Sequence, residues 1–312
     1  MKKITLDEAE KLFDEEVEKL QKKAMKTRLR HFGEEIKFYR KPFTPVSITK
    51  NRCELNCKHC NKHYLEHMYK VDDAGDLLKL SRLLSESGVK GVVLSGGSRR
   101  DGSVPTYEFT DAIKEMKKDT ALTINAHTGI LTEKQAKTIA EFLDAALTDV
   151  VGDRETVKEI LGLDYGPGDY QRTLKYLRTF GVKNISPHII VGLYYGKIRG
   201  ELRALDILKD IDPDTIVIVV FIPTKGTAMG DVNPPEIGDV SKVISIARLM
   251  YPLKDISLSC VRPGGRYRLE LDREAIKSGL TKMALPSKSA YETAQELDLD
   301  IVEVRESRCC SW

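Results

Sequence analysis

Between residues 45 and 304 the chain alternates β-branched apolar runs with amphipathic helical runs eight times, and no other feature narrows its possible folds as much. Strand-like runs fall near 45–49, 91–95, 121–125, 146–151, 185–191, 215–222, 256–262 and 299–304. Helical periodicity falls near 74–87, 107–117, 132–143, 154–161, 169–180, 199–210, 237–250 and 287–296. Strands separated by helices pair in parallel, because each crossover returns the chain to the same end of the sheet. Eight such units predict an α/β fold, a (β/α)8 barrel of TIM type spanning 44–304. Turn signals agree with it: Gly181 after a helix, Asp212-Pro213 before a strand, Pro263-Gly264-Gly265 after another. Ahead of the barrel, Leu6, Leu12, Phe13, Val17 and Leu20 recur at helical spacing within 5–40. Residues 1–43 are therefore expected to form a helical extension packed outside the barrel, and 305–312 a tail that closes its mouth.

A parallel barrel carries its chemistry where the strands end, and that is where the cysteines fall. Cys53, Cys57 and Cys60 directly follow the first strand, 46–49. Six cysteines without an apolar leader read as metal or redox ligands rather than as a disulfide framework. Three thiolates leave one position open on a four-coordinate centre. Zinc would close it with His63 or His67 as a Cys3His set. A [4Fe-4S] cluster on three cysteines instead keeps one iron for an outside ligand. The turn Ser95-Gly96-Gly97-Ser98, closing the second strand, favours the cluster, since glycines at a strand end permit close backbone approach to a ligand.

The C-x3-C-x2-C spacing of Cys53, Cys57 and Cys60 resembles that of the radical S-adenosylmethionine (SAM) superfamily, with His59 where an aromatic residue is usual. The resemblance implies that the free iron binds the methionine end of S-adenosylmethionine, and that one electron cleaves the sulfonium to give a 5'-deoxyadenosyl radical. It implies cofactor contacts for Ser95, Gly96 and Gly97 at the methionine amino group, for Asn125 at the end of the third strand, for Asp153 at the ribose hydroxyls and for Gly192 under adenine. Read alone, Asp153 is equally a helix N-cap. Tyr194 and Tyr195 are expected to line the cavity.

Within that superfamily the chain is most similar to the biotin synthase-like group, and its cysteines, split three and three, resemble a component of the two-protein lipoyl synthases of archaea. That resemblance implies a second, auxiliary [4Fe-4S] cluster on Cys260, Cys309 and Cys310, with Ser311, Arg262 or an exogenous sulfur as fourth ligand. Without the resemblance, Cys260 is a small buried hydrophobe and Cys309-Cys310 a redox-active end. The implied activity is sulfur insertion into an octanoyl chain carried by a lipoyl domain or glycine-cleavage H protein, with a companion radical SAM protein and a low-potential electron donor as partners. A single-cluster radical enzyme and a non-catalytic zinc-binding barrel are the competing readings. Charged residues make up 31% of the chain but nearly cancel, to +3, so no nucleic-acid partner is expected. No run approaches the roughly 20 apolar residues that span a bilayer, so a cytoplasmic protein without a membrane partner is expected.

Overall fold

The computed structural model describes residues 4–309 and Ser311. Helices Leu6–Phe13 and Val17–Phe32 lead in. The strands that follow are β1 (Glu35–Lys41), β2 (Thr44–Ser47), β3 (Tyr69–Lys70), β4 (Gly91–Ser95), β5 (Thr123–His127), β6 (Ala145–Leu147), β7 (Asn184–Ile185), β8 (His188–Val191), β9 (Thr215–Val220), β10 (Asp255–Leu258), β11 (Lys282–Ala284) and β12 (Asp300–Ser307). One parallel sheet runs β3-β2-β4-β5-β6-β7 and the other β8-β9-β10-β11-β1-β12. They meet in a single stretch of chain broken at Pro187, which has no N–H to give to a ladder. Across that seam the His188 N–H reaches Thr148 O at 2.9 Å and the Val150 N–H reaches His188 O at 2.8 Å. The outcome is the barrel-like α/β arc that the alternation predicts, with the strand ends at one mouth.

Two details differ from the sequence reading. The eighth stave is β11, paired with β10, and not the run near 299–304. That run is β12, which lies beyond β1. A helix, Gly265–Lys277, fills the stretch after the expected turn at 263–265. Lys-Met-Ala is too short to show alternation, and its Lys282 is buried only because Asp255 lies 2.7 Å away. The other correction is β1, expected as helix. Glu35-Ile36-Lys37-Phe38 alternates charge with apolar side chains, and Ile36 and Phe38 are fully buried. The N-terminal extension thus ends in a strand of the sheet, and a boundary at residue 43 separates two adjoining strands.

The switch from helix to strand has a definite cause. Gly33, at φ +62°, ends the helix Val17–Phe32. Arg28, fully buried, folds its guanidinium onto the exposed carbonyls there: Gly33 O, Glu34 O at 3.4 Å and Glu35 O at 2.5 Å. Its Nε also reaches Leu280 O at 3.3 Å, tying β1 to the loop before β11. Burial holds the Arg28 pKa below the usual arginine value. Arg248 makes a parallel tie, to Gly279 O at 2.9 Å and Lys254 O at 2.8 Å. No helix among the described residues is long and apolar enough to cross a membrane.

Arg28→Met would leave these carbonyls buried without donors. Urea unfolding should show a loss of about 3 kcal/mol with the native circular dichroism retained; an unchanged midpoint would mean that water replaces the guanidinium.

Candidate metal centre and cofactor cavity

β2 ends at Ser47, whose hydroxyl donates to Lys50 O at 2.6 Å and opens the loop that carries Cys53, Cys57 and Cys60. The loop lies against the turn after β4. Ser98 N–H points at Cys53 Sγ (3.3 Å), Glu54 N–H bonds Ser98 O (2.8 Å), and Gly97 N–H bonds Thr49 Oγ1 (2.7 Å). Gly97 is required by this contact: a Cβ there would stand 2.0 Å from Arg52 O and 2.5 Å from Cys53 Cα. The glycine pair therefore serves first to lay two backbones together, although Ser95, Gly96 and Gly97 also line the cavity. On the other flank Lys58 N–H bonds Ile160 O (2.9 Å), while its ammonium meets Glu159 at 2.5 Å and the Tyr195 hydroxyl at 3.1 Å.

Cys57 Sγ, Cys60 Sγ and a ring nitrogen of His59 lie within 4.8 Å of one another. Cys53 is near enough for its charge to oppose ionisation of Cys57. The hydrogen bond from Cys57 holds the Cys60 thiol down to about 4 against burial, with His59 pulling the same way, and Cys57 rises in turn. One thiolate at neutral pH is the start a soft metal needs. His59 Nδ1 is buried with no partner among the described residues. His63 pairs with Glu66 (3.5 Å) and packs edge-on to His67, and the histidine whose ring nitrogen comes together with Cys57 and Cys60 is His59. Three thiols converging on a cavity fit a cluster with three protein ligands.

That cavity, about 220 Å³, is also lined by His127, Asp149 and Tyr170. The rings of His127 and His188 lie 5.2 Å apart. Burial lowers both pKa values, and the neighbouring His127 helps bring His188 to about 4, with Asp149 opposing both shifts. Both imidazoles are neutral near pH 7. Asp149, His188 and Tyr170 went unmarked in the sequence; the available signal for Asp149 was its place just past the end of β6.

Other candidates are placed differently. Asp153 takes the N-cap reading: its Oδ2 accepts from Thr156 N–H (2.8 Å) and hydroxyl (2.7 Å) and meets Arg199 Nε at 2.9 Å. Burial alone would raise its pKa, but these partners bring it below the ordinary value. Gly192 has φ +79°, and the space of its absent side chain is taken by Pro235, whose ring a Cβ would meet at 2.7 Å. Its N–H is held by Glu201 Oε1 (2.8 Å), while Oε2 takes the Arg199 N–H (2.6 Å). Tyr194 and Tyr195 are not among the cavity-lining residues; they bond Glu155 (3.4 Å) and Glu159 (2.8 Å). Asn125 is fully buried in the barrel, its amide 3.4 Å from Ser311 Oγ.

The second thiol set needs one correction. β10 stops at Leu258, so Cys260 and Arg262 do not share a strand face. Arg262 Nε and a terminal nitrogen bond the Asp272 carboxylate at 2.7 and 3.0 Å, with both side chains fully buried. Further bonds to Ala284 O (2.9 Å) and Leu285 O (3.1 Å) commit the guanidinium, which removes Arg262 as a ligand candidate. Cys260 packs beside Tyr39 and Ala284. Burial raises its pKa, and the charge of Cys309 near it raises it further. Cys310 lies outside the described residues.

A family model described as the Radical SAM superfamily matches residues 47–198, from β2 through the cysteine loop to β8. The biotin synthase of Vibrio atlanticus is 29% identical over 234 residues, a match that takes in 70% of this chain and 63% of that one. Among solved structures, HydG, a maturase of the [FeFe]-hydrogenase, gives a TM-score of 0.70 at 19% identity, covering 96% of this chain and 72% of that one. Methylornithine synthase (PylB) gives 0.67 at 16% identity, covering 96% and 95%. At these identities the two structures speak for the fold.

Glu201, which clamps the Gly192 loop, has its pKa raised to about 7 by burial, from an ordinary value of 4.5. A carboxyl raised on folding contributes stability in full below the lower value and loses it as pH climbs through the higher one. Stability should therefore decline from pH 5 to 8 by roughly 2–3 kcal/mol through this group. Melting curves across that range should show the decline flattened in Glu201→Gln; an identical slope in both proteins would remove Glu201 as its source.

Proposed function

We propose that this chain, a radical SAM superfamily enzyme, inserts sulfur at an unactivated C–H of an octanoyl chain carried on a lipoyl domain or glycine-cleavage H protein. The observation that supports the reading is that Cys309, in the segment after β12, is near enough to Cys260 for its charge to oppose ionisation there, two thiols separate from Cys53, Cys57 and Cys60. A one-cluster radical enzyme has no use for them. Relatives named biotin synthase support sulfur chemistry, the task that the sequence resemblance implies for that group.

When bound, a first cluster with S-adenosylmethionine supplies a radical able to take hydrogen from carbon, and a second cluster supplies sulfide. Cys53, Cys57 and Cys60 hold the first, and the contact of Gly97 with Arg52 and Cys53 fixes their loop over the cavity. Cys260, Cys309 and Cys310 hold the second, with Arg262–Asp272 bracing the chain behind Cys260. His127 and His188 are neutral near pH 7, so they present dipoles and no positive charge beside the cavity. The buried walls keep water from a reactive carbon. A companion radical SAM protein and a low-potential electron donor complete the proposed system, which works in the cytoplasm.

Anaerobic reconstitution should load about eight irons per chain, and about four in Cys260→Ala or Cys309→Ala. Those variants should still release 5'-deoxyadenosine while an octanoylated lipoyl-domain peptide no longer gains the mass of sulfur. Cys53→Ala should lose both products. Full activity in Cys260→Ala would instead assign a single-cluster radical enzyme, and zinc in place of iron would end the radical reading.

A further inference from the structure

After β12 the backbone does not stay at the rim. Arg308 N–H bonds Lys41 O at 2.8 Å, and three residues later Ser311 is fully buried inside the barrel. Its carbonyl oxygen accepts from Asn184 Nδ2 at 3.3 Å and lies 2.9 Å from the Ser186 hydroxyl, which is also 2.6 Å from Asn184 Oδ1. Its own hydroxyl lies 3.4 Å from Asn125 Nδ2. Asn125 and Ser186 are fully buried, on or beside strands whose neighbouring residues, such as Ile124, Ala146 and Ile185, are buried and apolar. Buried amides and hydroxyls require partners, and Ser311 supplies them here. The same network reaches the cavity wall, because Ser186 O lies 3.0 Å from His188 Nδ1 and His188 packs on His127.

We propose that Asn125, Asn184 and Ser186 form a receptor inside the barrel for the segment after β12, and that as positioning residues they hold Cys309 beside Cys260 by gripping Ser311. Asn125 thereby acts on the chain's own Ser311 hydroxyl. Ser311 is an anchor whose two oxygens are already engaged, so it is not the fourth ligand of an auxiliary cluster. This docking needs no iron, so it stands or falls separately from the sulfur-insertion reading.

Hydrogen exchange of the iron-free chain tests it, because exchange in a locally opening segment tracks the open population. Peptides covering residues 305–311 should be protected, and should exchange about fivefold faster in Asn184→Ala and in Ser186→Ala, and faster still in the double variant. Peptides from β5 and β9 should keep the parent's rates, which shows that the barrel is intact. Ser311→Trp changes only the segment: it should abolish protection at 308–311 and leave the barrel unaltered. With Cys53, Cys57, Cys60 and Cys310 replaced by serine, dibromobimane should alkylate and bridge Cys260 and Cys309, with loss of two bromides and two protons, and the Ser311→Trp substitution should prevent the bridge. An unprotected segment in the parent, unchanged exchange in the Asn184 and Ser186 variants, or bridging indifferent to Ser311→Trp would each overturn the proposal.

Discussion

Everything at the mouth depends on two backbones in direct contact. The cysteine loop rests on the turn after β4 where Gly97 has no side chain, with a would-be Cβ only 2.0 Å from Arg52 O. Any other residue would lift the loop away, and with it the bonds from Ser98 N–H to Cys53 and from Gly97 N–H to Thr49. Because β2 and β4 are adjacent parallel strands, their ends arrive together and the contact forms without a long search. Three thiols are thereby held at the edge of a cavity on a loop that has no regular structure of its own.

Charge inside the molecule follows one rule: it is matched locally or absent. Arg28, Arg248 and Arg262 are buried, and each aims donors at backbone carbonyls or a carboxylate within reach, with Nη2 of Arg248 left without a partner among the described residues. Guanidinium suits the task because five fixed N–H groups can serve several carbonyls at once. For His127 and His188 burial outweighs Asp149 and, at His188, the Ser186 carbonyl, and both are driven to the neutral form. Glu201 is intermediate, receiving two backbone N–H groups yet raised to about 7. Stability therefore varies with pH at the Gly192 loop.

How much was legible differs by element. β9 reads clearly because six consecutive residues, Thr215–Val220, are buried and almost all β-branched. β11 does not, being three residues long with a lysine whose burial depends on Asp255. β1 carried its alternation openly, but it followed a strong helical period and was absorbed into it. At the site, the cysteine spacing marked the loop that brings Cys53, Cys57 and Cys60 to the cavity, whereas nothing in the sequence showed that Gly192 packs on Pro235 or chose the N-cap role that Asp153 takes. A glycine signals only that something lies close; what lies close to Gly192 is Pro235, forty-three residues on.

The sequence alone determined the parallel α/β succession and the place of Cys53, Cys57 and Cys60 at the end of the first barrel strand. Both are local properties, carried by side-chain periodicity and by order along the chain. Only the tertiary structure decided which polar residues face ligand and which face protein. Asn125 meets Ser311 across 186 positions, and Arg262 turns to Asp272 because β10 ends early. Such choices rest on burial and on the identity of distant partners, and a hydrogen-bonding side chain looks the same in sequence whichever partner it finds.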